Sequence, residues 1–427
     1  MLETDVLVVG AGPGGAATAL KLSYLNIPCV LLDKSHFPRD KVCGDAISGK
    51  VTTLLKRLDP QMLERLRVQP VHGDVWGVRF VVPNYNIIDI PFSSHYKWEP
   101  EKAPAYVMRR MDFDNFLVEE VRNRSNIQFL EGVEATDFQR RDRRYQITTK
   151  QGKEIKCRLL IIANGAYSSF SRKQAGLIKE EQHYAAAVRA YYKNVTGFSK
   201  DNFIELQYLK DYTPGYFWMF SLPNGGANVG LGMRSDFLKK RKVNLRVELE
   251  RIVKEHPQIA PRFAQAEREG EVVGYGLPLG SKQRSISGDH YMLVGDAGSL
   301  IDPLTGEGIG NAFYSGFIAA EQARDCLAAN DFSAATLKAY DKRVERVLGS
   351  EMKLSYRMQE LARYPWLLNM IGRIILGNQK MLFVFSKMYT DFNIREQVVK
   401  PWFWLKLLFR GGKDLVPQNE QIQKGES

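Results

Sequence analysis

The chain begins with apolar, strand-like runs alternating with helix-like segments. Residues 5–9 are Asp-Val-Leu-Val-Val, glycines follow at 10, 12, 14 and 15, and alanines and leucines then recur at helical spacing. This order predicts a strand, a tight turn and a helix. Apolar runs at 29–32 and 159–163 predict two further buried strands of a parallel sheet. The pattern therefore indicates an α/β fold.

The middle of the chain has the alternation of β-structure. Short strands are predicted between 71 and 105, in a meander over 135–158, and through most of 180–276. Helices are predicted over 48–58, from an N-cap at Asp112, and over 311–327.

The first glycine-rich turn has the features of a dinucleotide site. Gly10 permits the tight turn, Gly12 lets the backbone approach a pyrophosphate, and Gly15 lets the helix pack closely on the strand. The helix N-terminus offers free N–H groups and a partial positive charge to phosphates. Asp33 ends the second strand, 23 positions after Gly10, where a carboxylate can accept both hydroxyls of an adenosine ribose. We therefore predict a dinucleotide site here.

A second glycine-rich turn lies almost 300 residues later. Residues 291–294 predict a strand that ends at Gly295-Asp296, and residues 303–310 lead into the last predicted helix. Asp296 is placed to bind a ribityl or ribose hydroxyl, and the glycines expose N–H groups to partial negative charge on a ring oxygen. An ordinary glycine-rich turn with an N-cap aspartate would have the same sequence. Two such turns suit one long cofactor, which favours FAD over NAD.

The polar segment 34–45 is predicted to be a loop at the edge of the ligand crevice. Cys43 could place a polarizable thiol, and Gly44 a backbone without a side chain, against a planar aromatic ring of a cofactor. Alternatively, Gly44 is an ordinary turn glycine beside a buried cysteine. Asp45 is a weaker catalytic candidate in the same area. Arg110 is placed to reach a phosphate, although Arg109 and Arg110 could equally form a solvated rim.

An aromatic stripe stands out in the β-rich region. Tyr216, Trp218 and Phe220 alternate with other residues and so point to one face of a strand. Three aromatic side chains on one face form either part of the core or the wall of an apolar pocket.

Composition adds only a few limits. The chain has 427 residues, 44% hydrophobic and 25% charged, which fits a folded protein with two or three domain-sized units. Four scattered cysteines without a C-x-x-C pair indicate a reducing, cytoplasmic compartment and neither a disulfide framework nor a metal site. The first strand already begins at residue 5 and no apolar run reaches about 18 residues, so we expect neither a signal peptide nor a spanning helix.

The net charge of +12 is concentrated near the C-terminus. Eleven Lys or Arg residues oppose three acids between Lys353 and Lys413, so +8 of the charge lies in this segment. The segment is also apolar and aromatic, which suits an anionic membrane surface or a phosphorylated lipid. A helical cap whose basic faces are only solvated is the alternative. No nucleic-acid partner is expected, and the oligomeric state is not predicted.

Taken together, these motifs resemble those of the geranylgeranyl reductase family, within the larger p-hydroxybenzoate-hydroxylase-like FAD superfamily. The resemblance covers roughly residues 4–330. It rests on Gly10–Gly15 with Asp33, on Phe37–Gly44, on Arg110–Leu117, on the Tyr216-x-Trp218-x-Phe220 segment and on Gly295–Gly310. Two positions depart from the family pattern. Asn164-Gly165 replaces Asp-Gly, and Ser221-Leu222 intervene between the aromatic stripe and Pro223.

The resemblance implies a Rossmann-like FAD-binding domain interleaved with a β-sheet substrate domain, followed by a C-terminal helical region. The implied ranges are 1–70, 106–178 and 285–345 for FAD, 71–105 and 179–284 for substrate, and 346–427 for the helical region. The implied cofactor-binding residues are Gly10, Gly12, Gly14, Gly15, Asp33, Lys34, Gly44, Arg110, Val133, Asp296, Gly306, Gly308 and Ile309. Cys43 would lie beside the flavin ring, and Tyr216, Trp218 and Phe220 would line an isoprenoid channel.

The activity that the resemblance implies is reduction of carbon–carbon double bonds in a polyprenyl lipid. FAD occupies the one dinucleotide fold, so NADPH would visit only transiently as electron donor, and reduced ferredoxin is the alternative donor. An FAD monooxygenase or halogenase on the same scaffold is the main alternative function. A non-catalytic dinucleotide-binding or lipid-carrier protein is the other.

Overall fold

The computed structural model describes residues 1–92 and 103–377, which form three β-sheets with helices packed around them. The strands of the first sheet are β1 (Leu2–Val9), β2 (Cys29–Asp33), β8 (Ile127–Glu131), β9 (Ala135–Arg141), β10 (Arg144–Thr149), β11 (Glu154–Ile162), β17 (Ser287–Gly288) and β18 (Tyr291–Leu293). Their order is β17–β18–β11–β1–β2–β8, and β10 and β9 continue antiparallel from β11. Strand β1 pairs in parallel with β2 and β11, which confirms the predicted α/β class.

The second sheet is built from the β-rich middle of the chain. Its strands are β5 (Gly77–Val81), β6 (Ile87–Pro91), β12 (Tyr184–Lys193), β13 (Ile204–Gln207), β14 (Tyr216–Ser221), β15 (Gly226–Arg234) and β16 (Glu267–Pro278), in the order β16–β12–β15–β14–β13–β5–β6. The small third sheet has β7 (Ala105–Met108) between β3 (Ala46–Ile47) and β4 (His72–Val75). Strand β14 carries the aromatic stripe.

Two long-separated helices pack closely against each other. The helices are α1 (Pro13–Tyr24), α2 (Gly49–Leu58), α3 (Pro60–Arg67), α4 (Arg110–Arg122), α5 (Ser169–Lys173), α6 (Ser235–Arg241), α7 (Leu245–Glu255), α8 (Ile309–Ala329), α9 (Ala334–Leu361) and α10 (Pro365–Leu376). A Cβ added at Gly316 of α8 would lie 2.7 Å from Thr18 Oγ1 and 2.8 Å from the Gly14 carbonyl oxygen of α1. The small residues therefore bring α1 and α8 side by side, with their first residues close together.

Two local predictions were wrong. The predicted strands at 155–158 and 159–163 are one strand, β11, because β1 pairs with it from Ile155 to Ile162. Strand β10 pairs with its first half, and β18 pairs with its second half. Asp112 is not the N-cap of α4. The helix begins at Arg110, with Arg109 in the N-cap position, and Asp112 lies in its first turn.

The predicted division into domains stays a prediction. The second sheet draws its strands only from 77–91 and 184–278, within the segments predicted for the substrate domain. Strand β7 lies across the predicted boundary at 105/106, and helix α9 continues unbroken through residue 346. Residues 378–427 of the predicted C-terminal region lie outside the described residues. Within the described ranges, no helix is long and apolar enough to cross a membrane, and no group of three or more metal-ligating side chains occurs.

Candidate active site

A cavity of about 1470 Å³ lies at the carboxyl ends of the parallel strands. Its wall includes the residues that directly follow β1, β2, β11 and β18, namely Gly10, Lys34, Ala163 and Val294. A typical pocket for one small ligand occupies about 300–1,000 Å³. The cavity therefore has room for a cofactor and a second molecule together.

The first turn has the shape that a pyrophosphate requires. Gly10 has a φ of +103°, and a Cβ there would lie 2.6 Å from the Ala163 carbonyl oxygen. A Cβ at Gly15 would lie 1.6 Å from the Gly10 carbonyl oxygen, so Gly15 serves packing and does not line the cavity. Gly12 and Gly14 do line it, and no side chain caps the N-terminus of α1. The first N–H groups of α1 therefore fit a phosphate.

Asp33 lies in the cavity wall next to this turn. Its Oδ2 accepts a hydrogen bond of 2.7 Å from the Ala11 N–H, and its Oδ1 accepts one of 2.8 Å from the Ser35 N–H. Each carboxylate oxygen keeps a second lone pair for a ribose hydroxyl. Val133 lines the same part of the cavity, and Lys34 is exposed at its edge. These positions are compatible with the predicted adenosine end.

Arg110 lines the cavity, but its guanidinium is held by another protein group. Its Nε and Nη2 donate to both carboxylate oxygens of Asp114, at 2.7 and 2.8 Å. Arg39 approaches the same carboxylate at 3.1 Å, and its Nη2 lies 3.6 Å from where a Gly12 Cβ would be. Arg39, which the sequence analysis did not single out, therefore lies next to the pyrophosphate turn. Phosphate contact by Arg110 stays a prediction.

The second glycine-rich turn borders the same cavity. Gly308 is the N-cap of α8, no side chain caps this helix, and a Cβ at Gly308 would lie 3.2 Å from Asp296 Oδ1. Gly306 has a φ of +71°, and Ile309 begins the helix. All four residues line the cavity, so two uncapped helix N-termini face one space. This arrangement fits a cofactor with negative or partly negative groups at two points along its length.

Asp302 shapes the loop before Gly306. Its Oδ1 accepts the N–H groups of Leu304 and Thr305 at 3.0 and 2.8 Å, and burial raises its pKa. Next to it, Lys50 Nζ lies 3.2 Å from Glu307 and 2.7 Å from Glu351. Sequence analysis did not single out this charged cluster, because its members come from three separate segments.

Cys43 and Gly44 line the cavity, whereas Asp45 does not. The carboxylate of Asp45 is fully buried behind the loop, where its Oδ2 accepts hydrogen bonds of 2.7 Å from Tyr191 Oη and from Asn228 Nδ2. Burial raises its pKa to about 6. The structure therefore does not favour Asp45 as a group that touches substrate. Its contacts indicate instead that Asp45 holds the Cys43-Gly44 loop in position.

Asn228 is the residue that joins the loop to the aromatic stripe. It is completely buried, and its Nδ2 also donates to the Cys43 carbonyl oxygen at 2.8 Å. Its Oδ1 accepts a 2.9 Å hydrogen bond from Trp218 Nε1. Sequence analysis placed Asn228 only in a strand. The available signal was one amide side chain among small and apolar residues, on the strand next to the one that carries the aromatic stripe.

Tyr216, Trp218 and Phe220 lie in both the core and the cavity wall. Their side chains are largely buried, the centroids of successive rings are 6.1 and 6.5 Å apart, and all three line the cavity. Gly230 leaves room for Trp218, because a Cβ there would lie 2.1 Å from its ring. The wall beside the stripe is largely aliphatic and includes Val75, Val78, Ile204 and Leu206. This half of the cavity suits a hydrocarbon chain.

Lys41 is a further cavity residue. It lies in the Phe37–Gly44 segment, and the sequence analysis gave it no role. Its Nζ lies 3.7 Å from the centroid of the Tyr275 ring, and no carboxylate of the described residues lies within 4.0 Å of it. Burial lowers its pKa, while the nearby Asp296 opposes that effect. The ammonium group thus lies between the Cys43 loop and the second glycine-rich turn.

The parallel sheet and the two uncapped helix N-termini that face one cavity are features of a dinucleotide-dependent enzyme of the FAD type. Comparison with known families agrees: residues 3–261 match the profile described as FAD binding domain. The chain belongs to this FAD-binding family and is an FAD-dependent oxidoreductase resembling geranylgeranyl reductases.

Several relatives of the chain carry reductase names. The chain is 26% identical over 429 residues to a menaquinone reductase of Mycobacterium tuberculosis, covering 97% of this chain and 96% of the relative. It is 27% identical over 377 residues to digeranylgeranylglycerophospholipid reductase 2 of Methanopyrus kandleri, covering 84% and 87%.

Solved structures extend the likeness in fold. A geranylgeranyl bacteriochlorophyll reductase-like protein of Thermoplasma acidophilum superposes with a TM-score of 0.76 at 23% identity, covering 97% of this chain and all of that one. The flavin-dependent halogenase CmlS superposes with a TM-score of 0.67 at 23% identity, covering 82% of this chain and 63% of the halogenase. The scaffold is therefore shared by reductases and halogenases.

Proposed function

We propose that the protein saturates carbon–carbon double bonds of a polyprenyl lipid. One observation carries the proposal: the aromatic and aliphatic half of the cavity is continuous with the half that fits FAD, and the Cys43-Gly44 loop lies where they join. The names of both relatives refer to compounds that contain isoprenoid chains. When bound and reduced, FAD supplies the hydride in this reaction.

The protein contributes mainly position and exclusion of water. A hydrocarbon chain offers no charge to bind, so its place is fixed by shape and by removal of apolar surface from water. Tyr216 Oη donates to the Thr305 carbonyl oxygen, and Trp218 is fixed through Asn228. These bonds tie the hydrocarbon wall to both loops of the cofactor half. The double bond would therefore be held against the cofactor by a pre-organised surface.

Lys41 is our candidate for the proton donor. Saturation adds a hydride to one carbon and a proton to the other, and the Lys41 ammonium group is enclosed in the same cavity. Burial lowers its pKa, which makes its proton easier to transfer. The neutral amine left behind would recover its proton from water. Cys43 stays a candidate for contact with the flavin ring.

The proposed reaction needs an electron donor for the flavin and a reducing compartment. NADPH or reduced ferredoxin would reduce the flavin between turnovers, and the reducing cytoplasm is the proposed location. The four cysteines are unpaired in the structure.

Anaerobic turnover tests the function. The holoenzyme, reduced chemically under argon, is mixed with polyprenyl lipids in detergent, and products are examined by mass spectrometry. We expect mass gains in steps of two hydrogens without oxygen. A strict need for oxygen, with an oxygen or halogen atom in the product, would instead establish a monooxygenase or halogenase. Protein that purifies without a flavin spectrum and cannot take up FAD would indicate a non-catalytic carrier.

A further inference from the structure

Exposed apolar side chains are concentrated at one place on the surface. Of the fourteen large apolar residues that are exposed in the described ranges, five lie between 361 and 376. They are Leu361 (47% exposed), Tyr364 (47%), Trp366 (65%), Met370 (42%) and Leu376 (53%). We define these five residues, at the end of α9 and along α10, as the α10 surface. Soluble surfaces rarely group apolar side chains in this way without a partner.

Four of the five charged residues between 353 and 377 are basic. Arg357, Arg363 and Arg373 are exposed beside the apolar residues. The one acidic residue between 353 and 377 is Glu360, and its carboxylate is bound by Arg234 and Arg363. An apolar strip with arginines around it is complementary to an anionic lipid surface, where aromatic and apolar side chains enter the headgroup region and arginines meet phosphates.

The α10 surface adjoins the elements that enclose the cavity. Val347, Glu351, Ser355 and Gln359 follow one stripe of α9 and line the cavity, and α9 then ends at Leu361. Helix α10 packs on β6: a Cβ at Gly372 would lie 3.1 Å from Val82 and 3.2 Å from Ile88, and Asn369 Oδ1 accepts the Asn84 N–H. Phe92, just beyond β6, also lines the cavity.

We propose that the α10 surface docks on an anionic lipid bilayer, with Trp366 and Met370 inserted among the headgroups and the arginines on lipid phosphates. Docking there places the hydrocarbon half of the cavity next to the membrane, so that a lipid chain can enter without crossing water. Only this last step rests on the proposed function. The docking itself rests on exposure and charge.

Vesicle flotation tests the docking with the full-length holoenzyme. Vesicles of phosphatidylcholine alone are compared with vesicles that also contain phosphatidylglycerol, at low and at high salt. We expect flotation with the anionic vesicles, weakened by salt. The Trp366→Ser/Met370→Ser variant should partition at least about tenfold more weakly, because its apolar contact is lost. Arg357→Gln/Arg373→Gln should lose about fivefold per charge on anionic vesicles only.

Matched controls change equally exposed apolar residues elsewhere. Ile178 is 77% exposed and Val247 is 58% exposed, and Ile178→Ser/Val247→Ser should float like the wild type. All the changed side chains are exposed, so flavin absorbance should be retained in each variant.

Two results would overturn the proposal. The first is equal flotation of the wild type and of Trp366→Ser/Met370→Ser. The second is a wild type that does not float with anionic vesicles. If that wild type forms a dimer and Trp366→Ser/Met370→Ser is monomeric, a second copy of the chain covers the α10 surface instead of a membrane. Neither result depends on reductase activity, so a failure of docking and a failure of the proposed function can be told apart.

Discussion

Asp45 allows the buried network behind the cofactor loop to be tested through the pH dependence of stability. Its pKa rises from 3.8 to about 6, because burial disfavours the charged carboxylate more than the hydrogen bonds from Asn228 and Tyr191 favour it. A carboxyl with a raised pKa keeps its proton longer in the folded state than in the unfolded state. It therefore stabilises the fold at low pH, and this contribution is lost as the pH rises through the folded value.

The size of the effect follows from the two pKa values. A rise from 3.8 to about 6 corresponds to about 3 kcal/mol between the acidic and the alkaline limits. Between about pH 5 and about pH 8, a pH range suited to experiments, Asp45 contributes part of this difference. It alone should make the free energy of unfolding about 1.4 kcal/mol higher at about pH 5 than at about pH 8. No correction for solvent exposure applies, because the side chain is fully buried.

The assay is urea unfolding of the wild type and of Asp45→Asn at both pH values, with the same excess of FAD. The other titrating groups are common to both proteins, so the difference between their pH dependences isolates Asp45. Asn228→Leu removes a hydrogen bond that lowers this pKa, so it should make the pH dependence steeper. Identical pH dependences in the wild type and Asp45→Asn would refute the reasoning.

Three further predictions concern the cavity wall. Gly10→Ala should purify without flavin absorbance, because its φ is +103° and the new Cβ would lie 2.6 Å from the Ala163 carbonyl oxygen; normal FAD content would contradict this. Gly230→Ala should lower the free energy of unfolding by about 1–3 kcal/mol in urea and raise KM more than it lowers kcat, because it displaces Trp218; an unchanged KM would argue against a substrate wall. Lys41→Met and Lys41→Arg should keep FAD but lower kcat by about 10²–10⁴-fold; activity in Lys41→Arg would mean that charge, rather than a proton, is required.

Local sequence patterns were sufficient for the two turns that define the cofactor half. Gly10 and Gly306 both have positive φ, and the strands before the two turns are parallel neighbours of β11. Such features depend on residues adjacent in sequence, which is why a motif can reveal them. The aromatic stripe was predicted as one face of a strand for the same reason.

The contacts between segments could not be predicted in this way. Asp45 is only two residues after the candidate Cys43, yet a positive φ of +66° turns its carboxylate behind the loop. Asn228 and Lys41 each have a partner more than 180 residues away along the chain, Cys43 for Asn228 and Tyr275 for Lys41. Burial and contacts between distant segments, which no local pattern encodes, decided where the side chains of Asp45, Asn228 and Lys41 lie.

The pairing of α1 with α8 has a consequence for how the protein is made. The two helix N-termini that border the cavity begin at Gly12 and Gly308, so nearly three quarters of the chain is synthesised before the second exists. An emerging chain can form β1, the first turn and α1, but half of the cofactor's binding surface is still missing. Domains generally fold in order of synthesis, and a ligand stabilises only the state that binds it. We therefore expect FAD to be acquired late. A ribosome-bound chain stopped before residue 308 should be far more sensitive to protease than the finished protein, whether or not FAD is present.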